Sequence, residues 1–210
     1  MPSKTKPRVI SCSVLQAELE KLVAQGDLDV DLVFVSKYFH VDFNMLEENL
    51  RPTIQENLPD SKAGIVLVYG DLCLGANGEM KKLAEEYGLV KVDAQNCVDC
   101  LLGGKGKISE VDPNHELMVF SPGMVEFFEG VRKKAKAEGF DENMLKHLFS
   151  GLRGIVLLDT MGKMAENKAE IEKMDTGLPI LETRYVGLDS LKRVMLEALE
   201  RCKQRAESKR

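Results

Sequence analysis

The chain has 210 residues, 44% hydrophobic and 30% charged, with a formal net charge of -5. That is enough length for a full hydrophobic core in a single domain, or in two small lobes. The acidic balance argues against a nucleic-acid partner, which asks for a basic face, and no apolar run approaches the roughly 20 residues that span a bilayer.

Taken in chain order, the predicted elements alternate strand and helix. Arg8-Val9-Ile10-Ser11-Cys12 reads as a first strand. Leu15, Leu19 and Leu22 then recur at helical spacing until Gly26 stops the helix. Leu32-Val33-Phe34-Val35 reads as a buried strand. Asp42 is placed to N-cap a helix over 43–57, with Leu46, Leu50 and Ile54 on one face. Gly64-Ile65-Val66-Leu67-Val68-Tyr69 is a strand, and a helix is predicted over 78–87. The short strand Leu89-Val90-Lys91-Val92 precedes a helix opened by Cys97.

Gly103-Gly104-Lys105-Gly106 interrupts the chain, so 103–114 is expected to be a lobe boundary or mobile loop within a single 1–210 α/β domain. Glu116-Leu117-Met118-Val119-Phe120 is the next strand. Ser121-Pro122-Gly123 opens a helix with Ser as cap and Pro at the first position. A helix over 142–149 precedes the strand Gly154-Ile155-Val156-Leu157-Leu158, and another helix should run from Gly162 to about residue 173. A strand over 179–186 and a last helix capped by Asp189 complete the chain. This order predicts an α/β fold with a mainly parallel central sheet and helices on both faces.

In such a sheet the carboxyl ends of the strands face one crevice, where ligands bind. Cys12, Cys73 and Cys97 each follow a strand-like run, so all three can reach that crevice. Three thiols there suggest a soft metal site, although small buried core thiols are the competing reading. Cys97 opens a helix, where the dipole is expected to lower its pKa and favour the thiolate that binds metal. Cys100 lies three residues on, on the same helix face. The amino terminus, Met1-Pro2-Ser3-Lys4-Thr5-Lys6-Pro7, lacks the apolar stretch of a signal peptide. A cytoplasmic, reducing setting is therefore expected, and the five cysteines read as free thiols or ligands before disulfides.

Other strand ends supply candidate ligand-binding residues. Gly70, Asp71 and Gly75 sit in the turn around Cys73, where glycines permit close backbone approach. The string is neither a Walker loop nor a dinucleotide fingerprint. Ser121 and Gly123 begin a helix whose amides can hold an anion. Asp159 and Thr160 end a strand and can face the same crevice, or simply cap the next helix. His40 follows the second strand and can approach the site, whereas His115 and His147 read as surface residues. Neither a Ser-His-Asp order nor an H-E-x-x-H motif is present.

Together these pieces resemble an uncharacterised family, the domain of unknown function numbered sixteen-thirty-eight, seen in methanogens and other anaerobes. The resemblance rests on Ile10-Ser11-Cys12 with Glu18-Leu19, Phe39-His40, and Tyr69-Gly70-Asp71-Leu72-Cys73. It continues through Asn96-Cys97 with Leu101-Leu102-Gly103, Ser121-Pro122-Gly123, and Leu158-Asp159-Thr160-Met161-Gly162. The chain departs from the family at Leu74, where the family has Gly directly after Cys, at Gln95-Asn96 in place of His-Asp, and at Met124 in place of Trp. The resemblance implies a shared site of Cys12, Cys73 and Cys97, with Asn96 beside it, in anaerobic corrinoid-dependent one-carbon (methyl) metabolism. Zinc or an iron–sulfur cluster is the expected cofactor, with Cys100 as a possible further ligand and a small molecule or a corrinoid protein as partner. The alternative is an accessory module without chemistry of its own, binding a corrinoid protein, a folate-like cofactor or a small acid.

Overall fold

The computed structural model describes residues 6–139, 142–164, 168, 171–172 and 176–208. Its strands form two sheets, both entirely parallel. The first has the order β2-β1-β3-β4, with β1 at Arg8–Cys12, β2 at Asp31–Val35, β3 at Ile65–Val68 and β4 at Val90–Lys91. The second has the order β5-β6-β7, with β5 at Leu117–Phe120, β6 at Gly154–Asp159 and β7 at Ile180–Tyr185. The expected parallel α/β architecture is present, but divided between two sheets instead of one.

The central strands are buried on both faces, as parallel strands covered by helices must be. β1 and β3 are buried at every position. In β6 the faces alternate: Ile155 and Leu157 join one apolar cluster, Val156 and Leu158 another. β2, expected to be fully buried, is a half-buried edge strand, with only Val35 fully enclosed.

Helices α1 (Gln16–Ala24), α2 (Phe43–Asn57), α3 (Glu79–Glu86) and α4 (Cys97–Leu102) belong to the first sheet. The short 3-10 turn Ser13–Leu15 precedes α1, and a second, Lys37–Val41, precedes α2. Leu46, Leu50 and Ile54 form the buried stripe of α2, and Asp42 caps it by accepting from the Met45 amide. The chain then passes through α5 (Ile108–Val111) to β5, α6 (Pro122–Ala137) and α7 (Glu142–Leu148). The helix expected between Gly162 and about residue 173 lies partly outside the described residues. The last helix, α8 (Asp189–Glu207), leaves the second sheet and packs on β3, β4 and α4 of the first. Its buried stripe includes Leu191, Val194, Met195, Ala198 and Cys202. Leu188, not Asp189, holds its cap position; Asp189 lies in the first turn, where it faces the helix dipole without a capping bond.

Two contacts join the sheets near the strand ends. α6 packs across both 3-10 turns, and Gly123 permits it: a Cβ there would stand 2.0 Å from the Val14 carbonyl oxygen. α4 covers one face of the second sheet, with Val98 against Val119, Val156 and Leu158. The carboxyl ends of β1 and β3 therefore open onto the flank of α6.

Candidate metal centre

Strand order decides whether the cysteines meet. β1, β3 and β4 are adjacent, so Cys12 at the end of β1, Cys73 after β3 and Cys97 after β4 emerge side by side. All three line one pocket of ≈ 240 Å³, together with Cys100, His40, Tyr69, Lys37, Gly70, Leu72 and Asn96. Val14, Phe43, Val68, Met124 and Phe127 supply its apolar walls. Met124 and Phe127 come from α6, so the pocket lies between the two sheets.

Each thiol is held by local structure. Cys12 accepts the Val14 amide at 3.4 Å as β1 turns into the 3-10 helix. The Gly70–Cys73 turn is pinned by backbone bonds from Asp71 to Ala94 and from Leu72 to Gln95. Gly70 packs directly on that partner strand end, where a Cβ would stand 2.1 Å from the Gln95 carbonyl oxygen. Beneath the turn, Lys91 Nζ donates to the Val92 carbonyl at 2.6 Å and pairs with Asp71 Oδ1 at 2.8 Å. Asn96 caps α4 by accepting from the Asp99 amide, which sets Cys97 at the helix start. The Cys97 sulfur lies 3.9 Å from the Met124 sulfur.

His40 faces the thiols. Its Nδ1 is 3.5 Å from Cys12 Sγ, and its ring stacks on Tyr69 with centroids 5.7 Å apart and an interplanar angle of 11°. The Tyr69 hydroxyl is buried without a hydrogen-bond partner. Among the described residues, no group of three or more His, Cys, Asp or Glu side chains is arranged so as to hold a metal ion. The four thiols thus share a pocket without forming a ready-made ion cage.

The electrostatics are those of neutral, desolvated thiols. Burial pushes Cys12 up to about 12 against the Val14 hydrogen bond, with Cys73 adding to the rise. Burial pushes Cys73 up to about 11 and Cys100 up to about 12. Cys97 lies well above its ordinary range, through burial first and then Cys73, Cys12 and Cys100. The thiolate expected from its helix start is therefore not favoured: desolvation outweighs the dipole of a six-residue helix. Cys73 adds to the rise of Cys12, Cys97 and Cys100 alike. Burial lowers His40, with the Lys37 backbone opposing.

Of the other candidate residues, Gly70 and Asn96 line the pocket and the rest do not. Asp71 is occupied by Lys91 and Lys105. Gly75 packs against the Glu79 carboxylate. Gly123 packs against the Val14 backbone. Asp159 accepts the amides of Met161, Gly162 and Lys163 as the cap of its own turn. Thr160 is turned to Glu18, and Ser121 is fully buried at the start of α6 with its hydroxyl unpartnered. The physical reason is that Ser121, Asp159 and Thr160 end strands of the second sheet, while the thiols end strands of the first. Their helix α6, one turn further on, reaches the pocket in their place.

Sequence reading missed Tyr69 and Lys37 as pocket residues. Tyr69 is visible only as the last residue of an apolar run. Lys37 is 9% exposed and ion-paired to Glu126 of α6, a pairing 89 positions apart that no local pattern announces. His115 and His147 are exposed, as expected. Cys202 is buried far from the pocket, against Gly64 and the Ala63 carbonyl.

Two of the larger depressions, of ≈ 390 and ≈ 470 Å³, share Arg205 in their walls. Their guanidiniums are engaged, Arg205 with the Leu89 carbonyl and Arg201 with that of Lys91. Neither holds a comparable set of soft donors. No helix among the described residues is long and apolar enough to cross a membrane. The chain matches no curated protein and no solved structure. The family model described as "Protein of unknown function (DUF1638)" matches residues 34–195, which take in His40, Cys73, Cys97, Cys100 and Met124 but not Cys12, and the chain belongs to that family.

Proposed function

We propose that the protein binds a soft metal group, zinc or an iron–sulfur cluster, through Cys12, Cys73 and Cys97, with Cys100 as the further donor at hand. One observation carries this reading: cysteines from three adjacent strand ends line a single pocket. The donors suit the group in kind, since thiolates are the preferred ligands of zinc and of iron–sulfur clusters. As they stand, the thiols are raised by burial and by one another, and a cation among them relieves both effects. Because no three of them are pre-assembled, binding draws the sulfurs together by side-chain rotation within the pocket.

Bound there, the group supplies a Lewis-acidic centre and keeps its thiolates deprotonated. The chain's own residues do the rest. Phe43, Phe127 and Met124 give the pocket apolar walls, and the unpartnered Tyr69 hydroxyl is free to donate to a small ligand. The family resemblance sets this reading in anaerobic corrinoid-dependent one-carbon metabolism. A pocket of ≈ 240 Å³ is too small to enclose a corrin ring, so a corrinoid would approach on a partner protein at the pocket mouth.

A second reading is a binding module for a small ligand without a metal, favoured by the apolar lining and the free Tyr69 hydroxyl. Anaerobic purification with metal analysis and a visible spectrum separates the two. Broad visible absorption with iron and sulfide means a cluster. A colourless protein with stoichiometric zinc means a thiolate–zinc site. A chain that takes up neither sinks the metal reading and leaves the module.

A further inference from the structure

We infer that His40 is a metal ligand and that the site is a mononuclear one of three thiolates and one imidazole: Cys12, Cys73, Cys97 and His40. The inference rests on the proposed metal reading and adds its fourth donor and its nuclearity.

The geometry begins with one distance. Around tetrahedral zinc, with Zn–S of about 2.3 Å and Zn–N of about 2.0–2.1 Å, a sulfur and a nitrogen ligand stand about 3.6 Å apart. Cys12 Sγ and His40 Nδ1 are 3.5 Å apart. This thiol–imidazole hydrogen bond already has the spacing of one edge of a coordination tetrahedron, and it is supplied by the end of β1 and by the 3-10 turn that follows its neighbour β2. The edge faces the pocket in which Cys73 and Cys97 lie.

The imidazole is also held as a ligand needs to be. Metal-bound histidines are oriented by groups outside the coordination shell. Here the Tyr69 ring stacks on His40 almost in parallel, and Tyr69 is itself buried at the end of β3. Stacking thereby holds the ring plane, and the hydrogen bond to Cys12 directs Nδ1 at its sulfur.

This donor set discriminates between the two metals left open above. Iron–sulfur clusters are held by four cysteines, with histidine entering as a pair in Rieske centres. A single imidazole at one-ion distance from a thiol matches the Cys₃His sets of mononuclear zinc instead. Cys100 then becomes a neighbour of the site, one helical turn along α4 from Cys97.

The test uses the full chain, reduced, loaded anaerobically with Zn²⁺ or, for optical readout, Co²⁺. Zinc-edge X-ray absorption of the unmodified protein should show one nitrogen at about 2.0–2.1 Å beside sulfur at about 2.3 Å. His40→Ala should weaken Zn²⁺ binding by more than about tenfold, since even outer-shell changes cost 10–100-fold, and should shift the Co²⁺ ligand-field bands. Cys202→Ser, at a position away from the pocket against Gly64 and the Ala63 carbonyl, should leave both unchanged. An all-sulfur shell, or His40→Ala with unaltered affinity while Cys73→Ser loses the ion, overturns His40 as a ligand and leaves the thiol site standing. Assembly of an iron–sulfur chromophore overturns the mononuclear assignment but not the metal reading. A chain that binds neither Zn²⁺ nor Co²⁺ nor a cluster overturns both. If His40→Ala fails to fold, the absorption shell of the unmodified protein decides alone.

Discussion

The Thr160 hydroxyl donates a 2.9 Å hydrogen bond to Glu18 Oε1 across 142 residues of sequence, tying the end of β6 to the first turn of α1. Both side chains are within 1% of full burial. This bond and the Lys37–Glu126 pair both tie elements of the first sheet to elements of the second, and Lys37 lines the thiol pocket.

Glu18 makes stability pH-dependent. Burial raises its pKa, with the Thr160 bond and Lys37 opposing and Glu126 adding to the rise. A carboxyl whose folded pKa is raised binds more protons folded than unfolded in the window between the two values. Its contribution is fully present below the ordinary carboxylate range and is lost as pH rises through the folded value. Glu18→Gln keeps an acceptor for Thr160 but cannot ionise. Denaturant melts across pH should show the variant gaining on the parent as pH rises through that window and holding the gain above it, with the two equal in acid. Parallel pH profiles would disprove it.

Lys91 holds the turn that carries Cys73. Its ammonium bonds the Val92 carbonyl and Asp71, with longer contacts to the carbonyls of Tyr69 and Ala94. Lys91→Met strands these acceptors and should cost about 1–3 kcal/mol. Cys73 is raised chiefly by burial, and Lys91 works against that rise. Alkylation of Cys73 should therefore slow in the variant, measured as rate against pH. An unchanged rate in a folded variant would show that Lys91 does not act on the thiol.

Gly123 sets the approach of the two halves. A Cβ at this position meets the Val14 carbonyl oxygen at 2.0 Å, and backbone cannot yield as a flexible side chain can. Gly123→Ala should cost about 1–3 kcal/mol or more. Gly151→Ala is the control, because nothing lies within 4 Å of its Cβ and its φ is not positive; it should change stability by less than about 0.5 kcal/mol. Equal thermal shifts in the two variants would refute the close contact.

Metal uptake should strengthen with pH. The metal-free thiols of Cys12 and Cys73 sit at about 12 and about 11, so binding releases their protons. Apparent Zn²⁺ affinity should rise about tenfold per pH unit for each proton released, measured by chelator competition between pH ~6.5 and ~8.5. A flat profile would mean that the thiols are not the ligands.

The α/β class was legible in the residues because strand and helix leave different short-range periods. The apolar runs of β3 and β6 and the Leu46, Leu50, Ile54 stripe of α2 are local patterns of burial, and the structure reproduces them. So was the place of Cys12, Cys73 and Cys97 at or just beyond strands. What no local pattern carries is strand order, which depends on how crossover helices pack over distances of tens of residues. Only tertiary structure decided that β1, β3 and β4 are neighbours, which gathers Cys12, Cys73 and Cys97 at one pocket. Only tertiary structure decided that Ser121, Asp159 and Thr160 end strands of a second sheet, which keeps them out of it. The pocket's remaining residues, His40, Tyr69, Lys37 and Met124, came together for the same reason: burial of the α6 face against the first sheet is a long-range choice made by shape and desolvation, not by sequence neighbours.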